Sequence, residues 1–310
     1  MTKRLLDCAA SDFHSMTGKD ILEAIAASEG RAMVAEVIGA FQPVLMTISN
    51  AELAAAFGAD ILLLNFFDVY DPVFHGLPSE QGEQNGSVIQ AIERLTGRLI
   101  GINLEPLDPA QETLGEIRAI PPGRQASAAT ALEAYCQGAR LLVLTGNPGT
   151  GVSNRAINHS LREIRNALGE QVILSAGKMH AAGSRQEAGQ NIITAHDVAE
   201  FVASGADIIL LPAPGTVPGI TMEYVRELVQ VAHSLGALTL TAIGTSQEGA
   251  DPYTLRHIAL MCKMTGTDLH HLGDAGSFLG IASPENLMAY SIAIRGKRHT
   301  YARMARSIKR

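Results

Sequence analysis

The chain has 310 residues, of which 46% are apolar, 18% charged and 5% aromatic. This composition excludes a disordered, collagen-like or coiled-coil protein and provides for a substantial buried core. The net charge of −7 argues against nucleic acid as the main partner. No apolar run approaches the roughly 18 residues of a membrane span. The opening MTKRLLDCAASDF is broken by Asp7, Ser11 and Asp12 before a signal-peptide core could form, so a cytoplasmic protein without a membrane partner is expected. Cys8, Cys136 and Cys262 are odd in number and far apart, which suits reduced thiols better than a disulfide framework.

In chain order, Thr17 to Ser28 reads as a helix capped by Thr17 and stopped by Gly30, placed to close the N-terminal mouth of a barrel or to lie across its side. Eight continuous apolar strands follow: 33–38, 61–66, 99–104, 141–145, 172–176, 208–211, 238–243 and 268–272. They lack polar alternation, as strands buried on both faces of a parallel sheet do. Helices are predicted over 50–57, 87–96, 126–137, 153–168, 195–204, 221–235, 252–265 and 284–294. Most strands are preceded by a glycine, as in Gly58-Ala59-Asp60, Gly138-Ala139-Arg140 and Gly205-Ala206-Asp207, with weaker copies at Gly97, Gly169, Gly236 and Gly266. The physical reading is a helix closed by a left-handed glycine and followed at once by a strand, repeating about every 30 to 40 residues.

Eight strand–helix units are the count of an α/β (β/α)₈ TIM barrel. The doubly wound alternative lacks its glycine fingerprint after the first strand. A single domain over 1–310 is expected, with an N-terminal extension (1–30), the barrel (31–294) and a basic C-terminal segment (295–310). That segment holds Arg295, Lys297, Arg298, Arg303, Arg306, Lys309 and Arg310 with no acid, and reads as a solvated helix whose cations favour its C-terminal dipole. The loops from Val69 to Gly86 and from Leu107 to Gly123 are long enough to act as lids.

Barrel enzymes place reactive groups at the C-terminal ends of the strands. Lys178 is the candidate base or imine former, with Glu105, Glu36 and His180 as proton carriers. The rival reading of Lys178 is a loop lysine paired with a nearby carboxylate. Asn65, Asp68, Asn103, Thr145, Asn147 and Thr241 complete a rim that could orient substrate oxygens. Gly244, Thr245, Gly273, Gly276 and Ser277, in the loops after the seventh and eighth strands, are candidates for phosphate binding, and the turn 148–153 is a third. His270 and His271 point to opposite faces and cannot chelate one ion together, so one is a core histidine and the other faces the mouth.

Two stretches carry resemblances. GADILLLNFFDVYDP followed by GRLIGINLEP resembles the second and third strands of the BtpA family, barrels linked to photosystem I assembly. GADIILLPAPGTVPGI resembles the corresponding strand and loop of the phosphoenolpyruvate mutase and isocitrate lyase superfamily. The second resemblance implies Mg²⁺-assisted chemistry on a 2-oxo acid or enol phosphate through carboxylates after the third and fourth strands. Here the third strand offers Glu105, but the fourth offers only Thr145 and Asn147. Mg²⁺ is therefore admitted but not required, and no metal ligands are assigned. The expected function is lyase or isomerase chemistry next to a carbonyl on a small phosphorylated or carboxylated metabolite. The alternative is a noncatalytic BtpA-like barrel with a regulatory or assembly role. Association into a homo-oligomer is compatible with the sequence.

Overall fold

The computed structural model describes residues 3–78, 86–110, 119–146, 148–180, 187–273 and 280–310. Its eight parallel strands close in sequence order into one barrel: β1 (Ala32–Ile38), β2 (Ile61–Asn65), β3 (Leu99–Leu104), β4 (Leu141–Leu144), β5 (Ile173–Gly177), β6 (Ile208–Pro212), β7 (Leu238–Ile243) and β8 (Leu269–Leu272). The predicted strands agree with these to within a residue at each end. The chain is a (β/α)₈ TIM barrel.

The helices are α1 (Ala10–Phe13), α2 (Gly18–Ala26), α3 (Asn50–Ala56), α4 (Val88–Thr96), α5 (Ala128–Cys136), α6 (Asn154–Leu168), α7 (Ala195–Ala203), α8 (Met222–Ser234), α9 (Pro252–Thr265) and α10 (Pro284–Met304). Ser or Thr caps most of them, and Thr17 accepts from the Asp20 amide as the sequence predicted. Gly296 (φ 73°, ψ 166°) breaks α10, close to where the sequence predicted that helix to stop.

Strand residues alternate between two cores. Val34, Leu63, Val143, Leu210 and Ala242 point into the barrel and pack with Leu5, Phe13, Ile21 and Ile25, so the N-terminal extension plugs the bottom. Val37, Leu64, Ile102, Leu142 and Leu211 face outward against the helices. Parity therefore assigns each strand residue to a core. Gly177 ends β5 at φ +154°, and a Cβ there would lie 2.0 Å from the Leu210 carbonyl oxygen, so only glycine fits this approach.

The recurring Gly-Ala-Asp does more than end helices. The Asp60 carboxylate accepts from the Met33 amide, Asp207 from Leu174, and Asp268 from Thr239, each at 2.8 Å. Each aspartate thus fastens the start of its own strand to the preceding strand. A basic side chain meets each carboxylate: Arg295 and Arg303 at Asp60, Arg165 at Asp207, and the His233 ring at Asp268.

The basic C-terminal segment departs from expectation. Arg295 and Arg303 are 5% and 1% exposed, 2.6 Å and 2.5 Å from the Asp60 carboxylate, and Arg303 also donates to the Leu5 and Cys8 carbonyls. Arg306 donates to the Asp7 and Cys8 carbonyls. These cations are not a solvated face; they are the internal counter-ions and backbone donors that tie the last helix to the barrel bottom. Burial favours a neutral Asp60, but Arg295 and Arg303 outweigh it and hold the carboxyl below its ordinary value.

Candidate active site at the barrel mouth

A cavity of about 660 Å³ opens at the C-terminal ends of the strands, where barrel enzymes carry their chemistry. Its polar lining includes Glu36 from β1, Asn65 at the end of β2, Asn103 from β3 and Glu105 just after it, Thr145 after β4, His180 after β5, and the backbone at Gly244 and Gly273. These are among the residues predicted for the rim.

Glu36 sits deeper than the others, on the floor, and is 3% exposed. Asn103 Nδ2 donates to Glu36 Oε1 at 2.6 Å, and His271 Nε2 stands 2.9 Å from Glu36 Oε2 at ion-pair distance without hydrogen-bond alignment. His271 is therefore the inward member of its pair. His270 is the core member, against the Gly30 carbonyl and Tyr290.

Glu105 is 7% exposed, and Arg124 donates to its Oε1. The loop after β3 returns beside that strand: the Glu105 amide donates to the Arg124 carbonyl at 2.8 Å, and the Ala126 amide donates to the Glu105 carbonyl at 2.9 Å. Arg124 also lies 4.5 Å above the Phe66 ring. Phe66 holds φ +54°, a left-handed conformation that is strained for a bulky residue and persists where the surroundings impose it. Burial pushes the Glu105 carboxyl up from its ordinary value against the pull of Arg124. Burial pushes His180 down, with Glu36 opposing in part.

Arg124 was missed in the sequence, because its part depends on the return of a long loop. The only signal was a basic residue at the end of a Pro-Pro-Gly run. Phe66 and Met179 also line the cavity and were not singled out, and Thr150, from the candidate turn 148–153, lines it too.

Several candidates stand elsewhere. Lys178 is fully buried and its ammonium donates to Glu187, outside the residues that line the cavity, as in the rival reading of this lysine. Lys178 and His180 do not share a face, because the strand ends at Gly177, after which Met179 and His180 both reach the cavity. Thr241 lies between two inward residues, Leu240 and Ala242, and so points outward, beside the Cys262 thiol. Asp68 closes a turn by accepting from the Tyr70 and Asp71 amides. The Thr245 hydroxyl donates to the Thr216 carbonyl and does not line the cavity. In the turn 148–153, Ser153 caps α6 and donates to Asp108, whose carboxylate also pairs with Arg155, so an anion would meet a negative group there. Asn147, Gly276 and Ser277 lie outside the described residues, as does much of both long loops.

A family model described as "Domain of unknown function (DUF7916)" matches residues 6–310. The chain belongs to this family. Comparison with curated proteins gives no match. Among solved structures, the DUF7916 chain is similar to a protein described as a fructose-1,6-biphosphate aldolase from Coccidioides immitis, with TM-score 0.50, 13% identity, and coverage of 94% of this chain and 98% of that one. It is also similar to deoxyribose phosphate aldolase from Aeropyrum pernix, with TM-score 0.49, 12% identity, and coverage of 89% and 98%. A third is 2,3-dimethylmalate lyase of the PEP mutase/isocitrate lyase superfamily, with TM-score 0.48, 12% identity, and coverage of 86% and 83%. At such identities what is shared is the barrel. The BtpA likeness rests on the sequence patches alone.

Among the described residues, the two carboxylates lining the DUF7916 mouth are already engaged by protein side chains. Glu36 is engaged by Asn103 and His271, and Glu105 by Arg124. No group of three or more His, Cys, Asp or Glu among the described residues is placed to hold a metal ion. Among the described residues no helix is long and apolar enough to cross a membrane.

Proposed function

We propose that this barrel is a lyase- or isomerase-type enzyme that moves a proton at a carbon next to a carbonyl of a small carboxylated metabolite. The observation that carries the reading is Glu105: a buried carboxylate in the cavity wall with one oxygen bound by Arg124 and the other, Oε2, without a hydrogen-bond partner among the described residues. A carboxyl whose affinity for protons is raised by burial is suited to take a proton from carbon and return it. His180, on the same cavity, is the second proton carrier, and Asn65 and Thr145 line the wall where a developing oxyanion would need donors. The fold it shares with aldolases and lyases supports an enzyme of this kind as analogy.

Proton exchange tests it without knowledge of the product. Pyruvate, 2-oxobutyrate and 2-oxoglutarate are incubated with protein in deuterium oxide and followed by proton NMR. We expect wash-in of deuterium next to the carbonyl for one of them, slowed at least about 100-fold in Glu105→Gln. Exchange as fast in Glu105→Gln as in the native protein overturns the assignment. Binding of a probe with no exchange in the native protein would favour the noncatalytic barrel.

A further inference from the structure

The polar atoms that the cavity leaves unanswered define what it holds. Three buried ones lack partners among the described residues: Glu105 Oε2, Asn103 Oδ1 and Arg124 Nε. All three residues line the cavity, and Asn103 and Glu105 are 4% and 7% exposed. Each unanswered group carries a desolvation cost that a ligand can remove. Two are acceptors, Asn103 on β3 and Glu105 one residue past its end, and residues two apart along an extended chain share a face. The third is a donor on a guanidinium already fixed by Glu105 and by the Phe66 ring.

The complement of a fixed guanidinium N–H beside two acceptors is a carboxylate next to a group that carries its own N–H or O–H. We propose that the cavity binds a small carboxylic acid bearing a hydroxyl or ammonium on the carbon next to the carboxylate. Its carboxylate accepts from Arg124 Nε, and its hydroxyl or ammonium donates to Asn103 Oδ1 and Glu105 Oε2. A phosphate is disfavoured at this end, since Glu36 and Glu105 face it with one guanidinium between them. Arg124 is held by its ring contact and its carboxylate pair, so little order is lost when the acid arrives.

This proposal rests on the mouth cavity as the substrate site, but its test reads binding alone and does not depend on proton transfer. Thermal melting and calorimetry of the full chain are run with four probes: glycerate, serine, propionate and ethanolamine. We expect glycerate or serine to raise the melting temperature, and which of the two does so identifies the donor as hydroxyl or ammonium. Propionate, which lacks the donor, and ethanolamine, which lacks the carboxylate, should bind at least about tenfold more weakly. Asn103→Ala should reduce the preference for the donor-bearing acid over propionate about tenfold. Arg124→Lys should weaken both acids together. If a variant fails to fold by circular dichroism, the four-probe comparison on the native chain decides alone. Equal affinity for propionate or ethanolamine, no response to any of the four, or an unchanged preference in a folded Asn103→Ala overturns the proposal. Failure here with deuterium exchange intact would leave the proton-transfer reading standing, and the reverse result would leave this one.

Discussion

Replacing Asp60 should unfasten the barrel bottom. The carboxylate is fully buried, 2.6 Å from Arg295 Nη1 and 2.5 Å from Arg303 Nε, and it accepts from the Met33 amide at 2.8 Å. Asp60→Asn keeps the volume and an acceptor but removes the charge, leaving the guanidiniums of Arg295 and Arg303 buried with no counter-ion. Breaking a buried pair by removing one partner costs about 3–5 kcal/mol. For a chain of 310 residues that is a fall in melting temperature of about 5 to 8 °C. Asp60→Ala also orphans the Met33 amide and should lose a further 1–3 kcal/mol or so. Urea denaturation followed by far-ultraviolet circular dichroism reads both. Because the cost is that of an unpaired cation, adding Arg303→Met to Asp60→Asn should recover part of the loss. A single Asp60→Asn variant within about 1 kcal/mol of the native protein would refute the reasoning.

Three further outcomes follow from the geometry. His270 is fully buried, its Nε2 lies 3.0 Å from the Gly30 carbonyl, and burial pushes it down to about 4 from 6.5. The unfolded chain therefore takes up this proton first as pH falls. Stability should decline by roughly 3 kcal/mol between about pH 6.5 and 4, and His270→Gln, which keeps a donor to Gly30, should flatten that slope in urea titrations at several pH values. Gly177→Ala would place a methyl group 2.0 Å from the Leu210 carbonyl oxygen at φ +154°, so a loss of about 3 kcal/mol is expected, together with weaker ligand binding as Met179 and His180 shift. A Gly177→Ala protein that melts with the native one would contradict this. The deuterium exchange expected of the native protein should rise with pH through an apparent value above the ordinary 4.5 of a glutamate, because burial holds the Glu105 proton more tightly and the base form is needed. A midpoint at or below 4.5 would remove Glu105 from that role.

The barrel was legible because its strands are apolar on both faces and its helices end on glycine: Gly58, Gly138, Gly205 and the weaker copies all take positive φ. The floor of the site was legible for the same reason, since strict alternation places Glu36, Asn103 and Glu105 inward once β1 and β3 are located. Thr241 was misplaced because it was read by nearness to the strand end without parity, and Lys178 because alternation was carried past the end of its strand. Leu240 and Ala242 occupy the inward positions that flank Thr241, and Gly177 stops the alternation one residue before Lys178. Arg124 needed the fold, because nothing in a linear text says that a loop returns to lie beside the strand it left. The aspartate of Gly-Ala-Asp was read as punctuation although its carboxylate is a strand fastener, and the cations that answer Asp60 lie more than 230 positions away.

The last arginines set an order on the life of the chain. Arg303 reaches the carbonyls of Leu5 and Cys8 across separations of 298 and 295 positions, and no nearer cation does so among the hydrogen bonds described. During synthesis the plug and Asp60 emerge before most of the strands, and their partners follow only after β8. A nascent barrel therefore waits, with its strands made and its base unlatched, until α10 arrives. Stalled chains ending before and after Arg303 should differ sharply in resistance to protease, and equal resistance would show that the latch is dispensable.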